Sequence, residues 1–298
     1  MSRANLVVRS FVAGVFCFAF AGPALAQSAT PTPESSRAIP ADNLAYPVLI
    51  EIPLGDGLVD SGSGFYLNTA TSTYLVTARH VLFDDKGKLL GPKMTLLSYP
   101  VDPNDQGLNV LSIDLAALSS TGDVIPSQTE DVAVVRIFTF QTAQSTAEQL
   151  KHAAMSPLPG VTGVKVAPSG FIVTPISIIK KYADVLVGND IVVYGYPTSI
   201  GLKQIPQLDP NRPLLRQGIV AGLNPAAQTI VNDCFIYPGN SGGPVVELDR
   251  TPFQTFFKLI GVVIQYVPFA KGNQALFTLD NSGYAIVAPM DGVLALLK

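Results

Sequence analysis

The sequence predicts an all-β protein, built either as one large unit or as two small barrels. Short runs of β-branched, aliphatic and aromatic residues recur between clusters of Gly, Pro, Asn and Asp, the pattern of a sandwich or barrel. The regular alternation of strand and helix that marks a parallel α/β sheet is missing. Roughly 250 residues follow an N-terminal leader, ample for a sizeable core.

Residues 1–26 read as a secretory signal. Arg3 and Arg9 supply a positive start, an apolar run spans 11–20, and Gly22-Pro23-Ala24-Leu25-Ala26 places small residues where a signal peptidase needs them. That run is shorter than the roughly 20 apolar residues of a membrane span. Cys17 follows the bulky Phe16, which argues against lipoprotein processing there. Residues 27–45 are expected as a flexible leader, because the stretch 27–40 is rich in Ser, Thr, Pro and Ala without apolar periodicity. The folded domain is expected over 46–298.

Within that domain a first group of strands is expected at 46–52, 64–67, 73–77, 110–115 and 131–138. A second group is expected at 191–194, 217–223, 229–236, 244–247, 256–267 and 284–287. Residues 142–187 read as an irregular connection carrying an insertion. A helix over 145–154 opens with Ser145-Thr146-Ala147-Glu148, the pattern of a capping box. There His152 follows Glu148 by one turn and reads as a surface pair. A short apolar helix closes the chain at 291–298, and His80 is expected on a single helical turn after a strand.

Composition excludes several classes. Loss of the signal removes two arginines and no acid, leaving 17 basic against 22 acidic residues and a formal charge of −5. A chain without a basic excess gives no support for nucleic-acid binding or for an anionic membrane surface. Cys17 leaves with the signal, so Cys234 remains alone, with no internal disulfide to form, and reads as a buried small hydrophobe. No His, Cys and Asp cluster has metal spacing, and Gly55-Asp56-Gly57 is too short for a calcium loop, so no metal or other cofactor is expected.

Three stretches carry chemistry: Thr77-Ala78-Arg79-His80, Glu130-Asp131-Val132-Ala133-Val134 and Gly239-Asn240-Ser241-Gly242-Gly243-Pro244. A serine hydroxyl is a weak nucleophile until an adjacent base takes its proton, and the base needs a third group to hold its tautomer. His80, Asp131 and Ser241 are of the right types, and with only two histidines in the chain the choice of base is narrow. Gly239 carries no Cβ and reaches backbone conformations closed to other residues, so its N–H and that of Ser241 can aim at one developing oxyanion. The run also satisfies G-x-S-x-G, but the α/β-hydrolase elbow needs a histidine after the serine and none follows Ser241. A subtilisin-like order would need a parallel α/β pattern, which is absent.

These motifs resemble the trypsin-like (chymotrypsin-fold) serine proteases, and are most similar to the bacterial HtrA/DegP type. Ser63-Gly64-Phe65, Arg216-Gln217-Gly218-Ile219-Val220 and Gly283-Tyr284-Ala285-Ile286 agree with it, and the likeness spans roughly residues 46–290. It implies two perpendicular six-stranded β-barrels, the first about 46–140 and the second about 188–290, with the site between them. It also implies His80 as base, Asp131 as its orienter, Ser241 as nucleophile and Gly239 with Ser241 as oxyanion hole. A polypeptide substrate, an acyl-enzyme and a secreted or periplasmic location follow from the same resemblance. Phe235 is placed at the floor of the main specificity pocket and Ile264, Gln265 and Tyr266 along one wall, which disfavours Lys or Arg specificity.

Three departures from the family pattern matter. The chain ends eight residues after Met290, so a PDZ domain is not expected. Asn240 stands where digestive relatives carry an aspartate that pairs with a new N-terminus, so activation by cleavage is not expected. Arg79 neighbours the base and is expected to point outward. The competing reading is a catalytically silent or activator-dependent binding module on the same fold, with Tyr266 or the 156–187 insertion blocking the cleft.

Overall fold

Strand β1 (Pro47–Gly55) and strand β2 (Leu58–Asn68) are joined by a two-residue turn, with Gly55 paired to Leu58. Both turn residues, Asp56 and Gly57, have positive φ. That is the primed-turn chemistry of an Asp-Gly hairpin, so Gly55-Asp56-Gly57 closes a hairpin. The computed structural model of the protein describes residues 9–10, 39, 41–140, 155–197, 205–273 and 276–297. The signal-type segment apart from Arg9 and Ser10, the helix expected at 145–154 and His152 lie outside the described residues.

The first sheet continues through β3 (Ser72–Thr77), the single helical turn α1 (Arg79–Leu82), β4 (Lys93–Ser98) and β5 (Asn109–Asp114). Helix α2 (Leu115–Ser120) follows, its N-terminus capped by the Asp114 carboxylate accepting from the Ala117 N–H. After it come β6 (Val124–Pro126) and β7 (Ala133–Phe140). Three short strands, β8 (Met155–Pro157), β9 (Val161–Lys165) and β10 (Ile172–Pro175), then join its margins. The main path runs β9-β5-β4-β1-β2-β3-β7-β6. β8 pairs with β7, and β10 runs parallel to β2 while Arg9 and Ser10 run parallel to β10.

Six strands form the second unit: β11 (Asp190–Gly195), β12 (Leu214–Asn224), β13 (Thr229–Asp233), β14 (Pro244–Arg250), β15 (Thr255–Asn273) and β16 (Leu276–Pro289). They close into a barrel in the order β11-β12-β13-β16-β15-β14, and helix α3 (Met290–Leu296) packs after it. The architecture is therefore the mostly-β type expected, and the second unit is the closed six-stranded barrel. The first is an 11-stranded sheet rather than six strands, because short strands add at its margins, and the short C-terminal helix begins one residue earlier.

Residues 155–187, expected to be irregular, supply β8, β9 and β10 instead. Strands of three to five residues carry too little alternation to be read, and their order comes from pairing with an existing edge. The same limit hid the three-residue β6, and the six-residue β4 was also not expected.

Apolar side chains collect in three places. One core fills the first sheet, around Ile50, Tyr66, Leu75, Val135 and Phe138. Another fills the closed barrel, around Ile191, Val220, Ile260 and Val287. The third lies between the units, where Phe65, Tyr74 and Val76 of the first meet Tyr194, Val246, Leu259 and Met290 of the second. This shared core fixes one sheet against the other through packing, which is sensitive to losses of single methylenes.

Candidate active site

His80 is set by what lies on either side of it. Val81 and Leu82 are buried in the first core, so the single turn of α1 is anchored by its second half while His80 stays toward solvent. The turn closes through the Val81 N–H donating to the Ala78 carbonyl and the Phe83 N–H donating to that of Arg79. Asp131 comes from the loop before β7. The buried Ser127 shapes that loop: its hydroxyl accepts from the N–H groups of Thr129 and Glu130, and its own N–H donates to the Val132 carbonyl.

The two segments then lock together. The Asp131 carboxylate receives the His80 ring at Nδ1, 2.6 Å from Oδ2, and the His80 backbone N–H, 2.9 Å from Oδ1. The Arg79 N–H donates to the Asp131 carbonyl at 3.2 Å. One carboxylate thus fixes ring and backbone together and leaves Nε2 as the free nitrogen. The pair is open, with the His80 side chain 46% and that of Asp131 35% exposed. Arg79 is half-buried and lines, with His80, Phe83, Asp84, Asp85 and Glu130, a hollow of about 340 Å³ beside the pair.

Ser241 arrives from the second barrel on a tightly folded loop. The Asn240 N–H donates to the Tyr237 carbonyl, the Tyr237 N–H to Asn240 Oδ1, and the Gly243 N–H to the Asn240 carbonyl. The buried Asn240 carboxamide therefore closes the loop from within. Gly239 and Gly242 have φ of +95° and +87°, values that side chains bearing a Cβ rarely adopt. Gly242 is also pressed against the Ser63 carbonyl, Thr77 Oγ1 and the Ala78 N–H, just before His80 in the chain. The Gly242 N–H donates to Val263 at 2.7 Å and the Ser63 N–H donates to the Ser241 carbonyl at 2.8 Å. The nucleophile loop is thus packed on the segment that carries His80. Among the described residues, no hydrogen bond occupies the Gly239 N–H, the Ser241 N–H or the Ser241 hydroxyl.

The residues expected around a substrate pocket are more dispersed. Phe235 is 50% exposed, with its ring over Gly283. Ile264 is half-buried and packs against both the first-sheet core and the shared core. Gln265 and Tyr266 are exposed on β15, beyond the last pairing of β14 with that strand at Pro244–Val262. Cys234 is buried, and burial pushes its thiol up to about 11, with Arg216 opposing and Asp233 adding to the rise. Ser127 is a site-forming residue that motif reasoning passed over, and Ser63 was noted only as part of Ser63-Gly64-Phe65, with no role assigned. The only signal for Ser127 is its position ahead of Asp131.

Glu130, next to Asp131, lies against Gly292 in the first turn of α3. Burial, and then the nearby Asp291 carboxylate, hold its carboxyl above the usual 4.5. An acid raised in the folded state is protonated there more readily than in the unfolded chain. Its contribution to stability is therefore present at low pH and is lost as pH rises from about 4.5 through the raised folded value. Glu130→Gln is expected to flatten that decline when Tm is measured against pH. Superimposable profiles for variant and wild type would contradict this account.

A family model for the trypsin-like peptidase domain matches residues 62–251, a stretch that includes all three motifs. No curated protein sequence matches the chain significantly. Among solved structures the chain is similar to Deg5, with 17% identity, 85% of this chain and 88% of that one covered, and a TM-score of 0.45. It is similar to the serine endoprotease from Yersinia pestis at 15% identity, covering 87% of this chain and 66% of that one, with a TM-score of 0.47. It is also similar to the thermostable serine protease AL20 from an extremophilic microorganism, at 15% identity, 85% and 95% coverage and a TM-score of 0.49. With the family model covering more than half of its length, the chain belongs to the trypsin-like peptidase family and is a serine-type peptidase.

Proposed function

We propose that this peptidase is an exported endopeptidase working through an acyl-enzyme, with Ser241 as nucleophile, His80 as general base and acid, and Asp131 as orienter. The observation that carries the reading is the hydrogen-bonded His80–Asp131 pair beside a loop whose Gly239 and Ser241 N–H groups have no partner among the described residues. In this mechanism Ser241 Oγ attacks the substrate carbonyl carbon while His80 Nε2 takes the hydroxyl proton. The carbonyl oxygen, now negative, accepts from the Gly239 and Ser241 N–H groups. Collapse of the intermediate breaks the C–N bond, and the imidazolium returns its proton to the leaving amine. Water then attacks the ester, with His80 again accepting and returning one proton, and Ser241 is regenerated. Export rests on the charge, apolar run and small-residue site within residues 1–26, and leads to the periplasm or the exterior.

The test is labelling of the mature protein by a fluorophosphonate, with Ser241→Ala alongside. The wild type is expected to label and the variant to remain folded and unlabelled. A folded wild type that fails to label would favour the silent or activator-dependent module over an assembled enzyme.

A further inference from the structure

Ser63 sits at the junction of the two units, fully buried on β2. Its hydroxyl and its N–H are used across that junction, and its carbonyl is used within the first sheet. Its hydroxyl donates to the Gly239 carbonyl at 2.6 Å and accepts from the Tyr196 N–H at 2.9 Å. Its N–H donates to the Ser241 carbonyl at 2.8 Å, and its carbonyl accepts from Thr77 Oγ1 at 2.7 Å. Gly195, just before Tyr196, leaves the space in which Asn240 Nδ2 and Ser63 Oγ approach: a Cβ there would lie 2.6 and 3.0 Å from them.

We propose that Ser63 is a positioning residue that sets the oxyanion hole against the His80–Asp131 pair. The inference rests on the acyl-enzyme reading above. The peptide plane between Gly239 and Asn240 separates the two oxyanion donors. Its carbonyl is held by the Ser63 hydroxyl and its N–H by the Tyr237 carbonyl. Rotating that plane turns the flanking Gly239 and Ser241 N–H groups away from a common point. The next plane, between Ser241 and Gly242, is held at its carbonyl by the Ser63 N–H and at its N–H by Val263.

Ser63 also belongs to the base side of the site. Its neighbour Gly62 packs on Val81 of the His80 turn, and Gly64 pairs with Thr77 at the end of the strand leading to His80. One rigid strand therefore connects the proton acceptor to both oxyanion donors. Such donors act only when they lie about 2.7–3.1 Å from the developing oxygen, and a displacement of about 1 Å costs on the order of 10²-fold in rate.

The experiment compares mature wild type with Ser63→Ala. It measures kcat and KM on a peptide ester, the rate of fluorophosphonate labelling, and the low-field proton NMR signal of the His80 Nδ1–H. Ser63→Ala is expected to lower kcat and the labelling rate together by roughly 10²-fold, with KM within about threefold and the His80 signal retained. Ser63→Cys fills the same space with a weaker donor and is expected to show the same split where the alanine variant does not fold. Labelling and kcat within about twofold of wild type in a folded variant would overturn the proposal. So would a parallel loss of the His80 signal, because Ser63 would then be holding the whole site rather than the oxyanion hole. A wild type that does not label fails the acyl-enzyme reading itself, so the two failures are distinct.

Discussion

Asp131→Asn is expected to lower kcat by about 10⁴-fold while leaving the fold and Tm close to those of the wild type. The reason lies in the two hydrogen bonds that Asp131 accepts. Oδ1 takes the His80 backbone N–H at 2.9 Å and Oδ2 takes the ring Nδ1–H at 2.6 Å. An asparagine that keeps its oxygen on the backbone N–H must turn its amide NH₂ toward Nδ1. Two donors then face each other unless the ring moves its proton to Nε2. That tautomer satisfies the asparagine but presents an N–H to Ser241, where the mechanism needs a lone pair. Geometry is preserved and the acceptor is lost, equivalent to roughly 5–6 kcal/mol on the barrier. Stopped-flow acylation with an activated ester, together with thermal unfolding, would test this. A drop of less than about tenfold in a stable variant would remove Asp131 from the assigned role.

Lys180→Met carries the largest expected loss of stability, and the reason is unrelated to catalysis. Glu247 on β14 is completely buried, and Lys180 on the connector between the units is only 10% exposed. The ammonium contacts Glu247 Oε1 at 3.0 Å and Asp249 Oδ1 at 2.8 Å. Asn189 Nδ2 donates to the same two carboxylates at 2.6 and 3.1 Å, and the Leu186 N–H donates to Glu247 at 3.3 Å. This network attaches residues 180–189 to the closed barrel. Removing the ammonium leaves a desolvated carboxylate with only neutral donors, at a cost of about 3–5 kcal/mol. For a domain of this size that lowers Tm by about 6–20 °C.

Replacing both partners by apolar groups of similar volume is often nearly neutral, so Lys180→Met combined with Glu247→Leu is expected to recover most of the loss. Chemical denaturation of the two single variants and the double variant gives the coupling directly. A Lys180→Met change of under about 1 kcal/mol would mean that the pair behaves as an exposed one.

Much of the candidate site was legible because its proposed chemistry is concentrated in short, unusual runs. Gly239 to Pro244 announces a strained loop whatever fold surrounds it, and a chain with two histidines leaves little choice of base. The major strands were legible for a similar reason: runs such as Ser72–Thr77 and Ala133–Phe140 are long and apolar enough to declare themselves locally.

Other features had no local signature. β8, β9 and β10 are strands only because the first sheet offers edges for three to five residues to pair with. Ser127, Lys180 and Glu247 are ordinary residues until the fold removes water from around them and brings in their partners. The shared core around Tyr194 and Met290 likewise arises from contact between the two units. The sequence by itself determined the chemical groups and the periodicities that make strands. Only the tertiary structure decided which buried polar atoms meet, because a hydrogen bond or ion pair between residues 60 to 180 positions apart depends on packing geometry that no local pattern encodes.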